Sequence, residues 1–401
     1  MGLMSQNQQA QADTPKDTTA DIVVIGAGIA GASLGAMLAA NHRVIVLERE
    51  TRPDYHATGR SAAIFTEIYG NPVIRALTRA SRSFFEAPPD GFAAAALWRG
   101  IETVMIGTAA QRQKVEAVFA EVSGNAPGVE LMSGADYEAL VPACRPGVIH
   151  SGVRDTRAQE LDVAAIHQGF QRLLKTRGGE VVTRAEVTGL VRVNGLWTVE
   201  AGADRWRAPV VVNAAGAWAG EVGVMAGAVP IAIAPLRRSV CVVDAPAGVD
   251  PGGWPMSVDV DEQFYFKPES GRLLCSPADE TPSLPCDAQP EELDLAIAID
   301  RIQKVIDLPV SRYASKWAGL RTFAPDRTPL VGFDPLASGF FWFAGQGGYG
   351  IQTAPAMAET GAALIDGSEL PEHIVAEGVV EEDLAPGRFL ADLAESAGSG
   401  I

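Results

Sequence analysis

The sequence predicts an α/β fold of two interleaved domains. Three stretches carry that prediction: a β-branched run ending in closely spaced glycines, a second apolar run closed by an acid, and a strand-rich region over 229–321. Residues 21–25 are Asp-Ile-Val-Val-Ile, the composition of a strand buried on both faces. They lead into Gly26-Ala27-Gly28-Ile29-Ala30-Gly31 and a small-residue helix to about residue 40. A second buried strand over 43–47 ends in Glu48. Strand, G-x-G-x-x-G, helix, strand and acid together are the signature of a dinucleotide-binding βαβ unit. Each part has a mechanical reason. Gly26 permits the tight turn, Gly28 lets the backbone approach a pyrophosphate, and Gly31 lets the helix sit close on the sheet. Ala30 lies within the same turn. The helix N-terminus presents N–H groups and partial positive charge to phosphates. Glu48 can accept hydrogen bonds from a ribose, and its charge disfavours a 2′-phosphate. NADP is thereby disfavoured, while FAD and NAD remain.

Composition narrows the possibilities. The 401 residues hold 32 Lys plus Arg against 49 Asp plus Glu, a formal charge of −17. A length of this order suggests two domains, and 47% apolar content supplies substantial cores. So acidic a chain argues against nonspecific binding to nucleic acid or anionic lipid, which reward dense Lys/Arg patches. No apolar run approaches the roughly 20 residues that span a bilayer, so no integral membrane segment is expected. Residues 1–20 are rich in Gln, Asp and Thr and lack an apolar core. They read as a disordered tail, not as a signal peptide. Cys144, Cys241, Cys275 and Cys286 show no C-x-x-C spacing, and the five histidines form no ligand-spaced cluster. A soluble cytoplasmic protein with reduced thiols and no metal site is the expectation.

Beyond Glu48 the chain does not continue as a simple βαβ array. A polar, small-residue stretch over 50–70 contains Thr58-Gly59-Arg60-Ser61-Ala62-Ala63. Helical patterns cover 72–85, 109–122 and 163–177, with a breaker over 87–91 and a short strand over 103–107. Strands are predicted at 180–182, 187–193, 197–201 and 210–213, the last running into Ala214-Ala215-Gly216-Ala217-Trp218. In the strand-rich region the candidates are 238–243, 264–268 and 272–276. The final unit is an aromatic strand over 339–344, then Gly345-Gln346-Gly347-Gly348-Tyr349-Gly350-Ile351, then a helix. This pattern predicts a Rossmann-like nucleotide-binding domain interleaved with an α+β domain on a mostly antiparallel sheet.

Taken together, the N-terminal fingerprint, Thr58-Gly59-Arg60-Ser61, Asn213-Ala214-Ala215-Gly216-Ala217-Trp218 and Gly347-Gly348-Tyr349-Gly350 resemble the D-amino-acid oxidase and glycine oxidase superfamily of flavoproteins. Within it the chain most resembles the bacterial D-arginine dehydrogenases, from residue 21 to about 388. The likeness runs through Tyr69-Gly70, Arg237-Arg238-Ser239, Trp254-Pro255-Met256, Phe264-Tyr265-Phe266-Lys267-Pro268 and Trp317-Ala318-Gly319-Leu320-Arg321. The resemblance implies FAD as the cofactor. It implies an FAD-binding domain over 21–94, 154–224 and 327–391, and a substrate domain over 95–153 and 225–326, with a flexible tail over 392–401. The family's cofactor contacts fall on Glu48, Arg49, Thr58, Gly59, Arg60, Ser61, Ala62, Ala63 and Ile64. They continue at Val187 through its backbone, at Gly216, and at Gly347, Gly348, Tyr349, Gly350 and Ile351. Sarcosine-oxidase relatives tether the flavin through a cysteine near the Trp–Arg segment. Residues 316–326 contain none, so noncovalent FAD is expected.

The implied reaction is oxidative deamination. A hydride passes from the substrate Cα to flavin N5, and water hydrolyses the imino acid to a 2-keto acid and ammonia. The cofactor carries the redox chemistry, so the protein must orient the substrate. Arg321 and Arg238 match the family's two carboxylate-binding arginines, and a planar guanidinium fork suits bidentate pairing with a carboxylate. Arg237 stands beside Arg238, which leaves the register between them open. Tyr69 and Tyr265 match a lid and a pocket tyrosine, and the carbonyl at Gly348 matches one that accepts from the substrate amine. Gly347 and Gly348, ahead of the last helix, are expected to set N–H groups and the positive helix end against the reduced flavin edge. No residue stands out as a catalytic base.

Two pocket positions depart from the D-arginine dehydrogenase pattern. An active-site histidine aligns with Ile64, and the acid for the substrate guanidinium aligns with Thr103. A one-residue slip would place Glu102 there, but neighbours in a strand face opposite ways, which favours Thr103. The expectation is a pocket for D-amino acids with neutral or apolar side chains. The alternatives are an oxidase of N-methyl or other secondary amino acids, an FAD-dependent 2-hydroxy-acid dehydrogenase, and a flavin-binding protein without turnover. The partners expected are a small amino-acid substrate and an electron acceptor such as a quinone or another redox carrier.

Overall fold

The computed structural model describes residues 16–390. A six-stranded sheet runs in the order Glu180–Val182, Val44–Leu47, Ile22–Ile25, Val210–Asn213, Phe340–Ala344 and Leu330–Phe333. The first five strands are parallel and the last turns back antiparallel. Strand Ile22–Ile25 shows why this stretch is apolar throughout. Ile22 and Val24 enter one core, while Val23 and Ile25 enter another across the sheet. Helices Ile29–Leu38, Val163–Thr176 and Ala354–Asp366 pack together over the first face. The first of them lies tight on its turn, because a Cβ at Gly31 would sit 1.8 Å from the Gly26 carbonyl oxygen.

A separate four-stranded sheet covers the second face, in the order Asp17–Thr19, Asp204–Ala208, Leu196–Ala201 and Gly189–Val193. Trp197, Val199, Trp206 and Ala208 alternate inward from it to the shared core. Two expectations change here. The tail expected over 1–20 forms a strand at 17–19, paired in parallel with 205–207. Residues 1–15 and 391–401, including the C-terminal tail, lie outside the described residues. The strands expected over 187–201 build this cover and take no place in the nucleotide sheet. Strand Asp204–Ala208 has no counterpart in the sequence expectations, although exposed Arg205 and Arg207 alternate with buried Trp206 and Ala208 at the two-residue period of a half-buried strand.

The second large sheet has nine strands. Along its main path these are Thr281–Pro282, Ala234–Asp244, Arg272–Ser276, Tyr265–Glu269, Met256–Asp259, Thr103–Gly107, Ser151–Asp155 and Val129–Ser133. Strand Ser315–Phe323 pairs onto Ala234–Asp244 from outside that path. All pairings are antiparallel except that of Met256–Asp259 with Thr103–Gly107. Alternation divides its faces. Val104, Ile106, Cys241, Val243 and Phe266 enter a core shared with Leu295, Ile299 and Ile302 of helix Glu292–Gln303, which was not expected from the sequence. Thr103, Met105, Arg238 and Tyr265 turn to the other face, which meets the glycine-rich loops. A three-stranded sheet of Ile64–Phe65, Gln159–Leu161 and Trp98–Gly100 completes the architecture. No helix among the described residues is long and apolar enough to cross a membrane.

Candidate active site

The cleft begins at the carboxyl ends of Ile22–Ile25 and Val210–Asn213, where the strand order reverses and open parallel sheets bind ligands. Gly26, Gly28, Glu48, Arg49, Val187 and Gly216 all line this section. Glu48 is buried, and its carboxylate accepts from the N–H groups of Ala27 and Glu50, each at 2.9 Å. Burial pushes its pKa up against those two bonds. On the other side of Ala27, buried His167 donates from Nε2 to the Ala27 carbonyl at 2.8 Å. Burial lowers the pKa of that imidazole and keeps it neutral. The Thr58 hydroxyl accepts from the Ile29 N–H at 2.9 Å, so it fills part of the first helical turn. Arg49 lies over the Trp218 ring at 4.5 Å and pairs with Glu186.

Gly28, Ala30, Thr58, Arg60 and Gly216 continue into a second section shared with Gly347, Gly350 and Ile351. This opens on a third, lined by Ala63, Ile64, Tyr69 and Thr103. Ser61, Ala62, Gly348 and Arg321 face both. Three expected cofactor residues stay behind the wall. Gly31 backs the helix onto its turn, Gly59 lies against the Asp54 carbonyl, and Tyr349 packs with Ile74 and Phe323. Arg60 lines the cleft, but its guanidinium donates to Asp287 and to the carbonyls of Ala288 and Ala318. The expectation for Gly347 needs correction. Its N–H donates to the Thr322 carbonyl at 2.9 Å, and the following helix starts only at Ala354. That helix is not the last, since Glu372–Val375 and Glu381–Leu384 follow it.

At the far end, Arg238 and Arg321 stand on one face of the paired strands Ala234–Asp244 and Ser315–Phe323. Arg238 is opposite Gly319, so Arg321 is its diagonal neighbour at about 7–8 Å. Arg237 points the other way and pairs with Glu291 and Asp294, so it is Arg238 that reaches the cavity. Arg238 donates to the Asp279 carbonyl at 2.7 Å and to Glu280 at 3.2 Å. Glu280 also accepts from both terminal nitrogens of Arg327, at 2.7 and 3.0 Å. Burial opposes the charge of Glu280, but Arg327, with Arg238 and Arg321 beyond it, holds the carboxyl below its usual range.

Arg321 is held differently. It has no carboxylate partner among the described residues, and it donates to the Tyr69 hydroxyl at 3.2 Å. Burial works against its charge, yet the hydroxyls of Tyr69, Tyr265 and Tyr349 raise its pKa overall. A Cβ on Gly348 would lie 2.8 Å from the Arg321 guanidinium carbon, so a glycine is what lets the arginine rest against that turn.

Ala62, Ile64, Met105, Met256 and Val258 supply an apolar wall. Within it the Thr103 and Tyr265 hydroxyls are buried without a hydrogen-bond partner. Glu102 turns away and holds Arg154 at 2.9 and 2.7 Å, so Thr103 is the residue that faces the cavity. Thr66, Met105, Glu262 and Gln352 also line it and were not singled out from sequence. The two-residue period starting at Thr103 would have found Met105. Glu262 arrives on a turn at φ 54°, and Thr66 and Gln352 come from separate loops with no local signal.

The family model described as DAO, FAD dependent oxidoreductase, matches residues 21–364. Human mitochondrial sarcosine dehydrogenase is 26% identical over 396 residues, a match covering 92% of this chain and 41% of that protein. The chain thus spans less than half the length of that relative. Glycine oxidase from Geobacillus kaustophilus superposes with a TM-score of 0.77 at 19% identity, covering 88% of this chain and 96% of its own. L-proline dehydrogenase from P. horikoshii gives 0.80 at 21% identity, covering 94% and 99%. Likenesses of this size establish the mixed α/β fold. The cleft fits FAD: a buried carboxylate closes one end, side-chain-free turns line the middle, and the far end opens on Arg321.

Proposed function

The chain belongs to the DAO family of FAD-dependent oxidoreductases, and from that premise we propose that it oxidises D-amino acids with neutral or apolar side chains. The chemistry supplied by bound FAD is two-electron oxidation at Cα, after which water hydrolyses the imino acid to a 2-keto acid and ammonia. What this chain contributes is position. The observation that carries the proposal is Arg321, a guanidinium without a carboxylate partner, enclosed by three tyrosines and facing a cavity. A buried cation of this kind is completed by an anionic ligand group. In the proposal Arg321 and Arg238 take the substrate carboxylate, and Tyr69 and Tyr265 add hydroxyl donors. The Gly348 carbonyl accepts from the amine. Each charge-assisted hydrogen bond contributes about 1.5–3 kcal/mol, and the enclosing tyrosines strengthen it by excluding water. Glu48 and the glycine turn hold the noncovalent cofactor. No catalytic base is assigned, because Glu262, the one carboxylate among the described residues of that cavity wall, is exposed.

Likeness to sarcosine dehydrogenase favours a second reading, an oxidase of N-methyl amino acids. Anaerobic mixing of the purified holoprotein with D- and L-amino acids, N-methylglycine and 2-hydroxy acids separates these. Bleaching of the flavin absorbance by D-amino acids is expected. Bleaching by another class alone overturns the proposal in favour of that class. Turnover with oxygen and with a dye then identifies the type of electron acceptor.

A further inference from the structure

The substrate cavity has a second polarity that the arginine pair does not explain. We propose that its other end selects side chains ending in a neutral hydrogen-bond donor, a hydroxyl or a primary amide, and that Asp155 sets this preference as a positioning residue. The inference rests on the amino-acid reading above and narrows its neutral-or-apolar class.

Arg238 and Thr103 stand four strand spacings apart in the nine-stranded sheet, about 19 Å at the usual separation of strands. At the Thr103 end two threonines, Thr103 and Thr66, line the cavity. Thr103 Oγ1 is buried and has no partner. Thr66 Oγ1 donates to Asp155 Oδ2 at 2.6 Å. Asp155 is 2% exposed and does not itself line the cavity, and it sits directly opposite Thr103 in the strand register. Its other oxygen, Oδ1, accepts from the Arg157 N–H at 2.9 Å. Among the described residues no cation pairs with it.

A carboxylate has no proton to give, so the single hydroxyl proton of Thr66 is committed to Asp155. Thr66, which lines the cavity, therefore has only lone pairs left to offer a ligand. A ligand group that meets it must donate, and an acceptor-only or apolar group leaves that oxygen unmatched. Gln352 is held beside Thr66: its Oε1 accepts from the Thr66 N–H at 3.3 Å and one of its two amide protons goes to Thr78 at 2.8 Å, which leaves one N–H outside these bonds. Thr103 is free to rotate and pairs with either kind of group, so the selection falls on Thr66. Glu102 is held by Arg154 on the other face and Asp155 lies behind Thr66, so neither of these carboxylates touches the bound group, and Glu262, the one carboxylate of the cavity wall among the described residues, is exposed to water. A neutral donor fits this setting better than a cation does.

The test compares near-isosteric D-amino acids on the holoenzyme by kcat/KM with a dye acceptor. One pair is homoserine and norvaline. The other is glutamine and its methyl-ketone isostere, 2-amino-5-oxohexanoate. The donor-bearing member of each pair is expected to lead by about three- to tenfold, the worth of one neutral hydrogen bond. In Asp155→Asn the amide must keep its oxygen toward the Arg157 N–H, so its NH2 donates to Thr66 and frees the Thr66 proton for the cavity. The glutamine-to-ketone ratio then collapses toward one. Thr66→Val collapses both ratios, and it carries the test where the Asn variant fails to fold, as judged by FAD content and Tm. Equal kcat/KM within each wild-type pair, or unchanged ratios in folded variants, overturns the inference and leaves the amino-acid reading standing. Failure of every D-amino acid to bleach the flavin overturns both.

Discussion

The two ends of the cleft are assembled by different means. The end beside Glu48 is built on a local unit: Gly26, Gly28 and Glu48 belong to one βαβ unit, and the Glu48 carboxylate is met by backbone N–H groups. The end beside Arg321 is a convergence of side chains from distant stretches. Tyr69 and Arg321, which share a hydrogen bond there, are 252 residues apart in the chain. Their electrostatics are opposite too. Glu48 is an acid satisfied by amides, while Arg321 is a base with no acid. A site made from backbone depends on where side chains are missing. A site made from side chains depends on strand register, because one residue of slip exchanges Arg238 for Arg237 and Thr103 for Glu102.

If the two ends act independently, substitutions at one should leave the other untouched. The largest effect is expected for Arg321→Met. Loss of two charge-assisted bonds raises KM by about 10²–10⁴ while FAD content stays at wild type. Loss of flavin along with substrate affinity would break the separation. Arg238→Met is expected to raise KM less, by about 10–100-fold, since Glu280 already shares that guanidinium. The reverse test is Glu48→Ala, which removes the acceptor for Ala27 and Glu50. FAD titration of the apoprotein should show affinity weakened by about tenfold, with KM of the reloaded enzyme unchanged. Arg237→Met sharpens the register argument. KM should stay within about twofold of wild type, while Tm falls because Glu291 and Asp294 lose their partner.

Legibility followed the same division. The turn, the helix and Glu48 could be read from about thirty consecutive residues, because every part of that unit is adjacent in sequence. The arginine register could not be settled that way. It took the pairing of Arg238 with Gly319 to show which neighbour faces the cavity. Helix Glu292–Gln303 was missed for a physical reason. Leu293, Leu295, Ile297 and Ile299 recur every second residue, as in a strand, while the buried Leu295, Ala298, Ile299 and Ile302 follow the helical spacing. The glycines at 347 and 348 announced a turn but not the length of turn before Ala354. Glu280 and Asp155 sit in no motif. Their partners Arg238 and Thr66 are 42 and 89 residues away, and only the folded sheet brings them together.

The smallest effect concerns the buried imidazole behind the glycine turn. His167 donates to the Ala27 carbonyl from the neighbouring helix, and burial depresses its pKa below the ordinary 6.5, with the Ala27 bond and then Asp54 only partly offsetting this. The unfolded chain then binds the proton more readily than the folded one between 6.5 and the depressed value. Stability is therefore complete above 6.5 and is lost as the pH falls through that window. A protonated ring could keep its bond to Ala27, but it would carry a charge with no adjacent carboxylate bonded to it. As the pH falls below 6.5 the Tm of the wild type should decline more steeply than that of His167→Gln, which has no group titrating there. The same comparison of FAD retention reports whether the loop feels it. Parallel curves for the two proteins would mean that Ala27 is held by Glu48 alone, and that the cofactor end is even more local than its hydrogen bonds indicate.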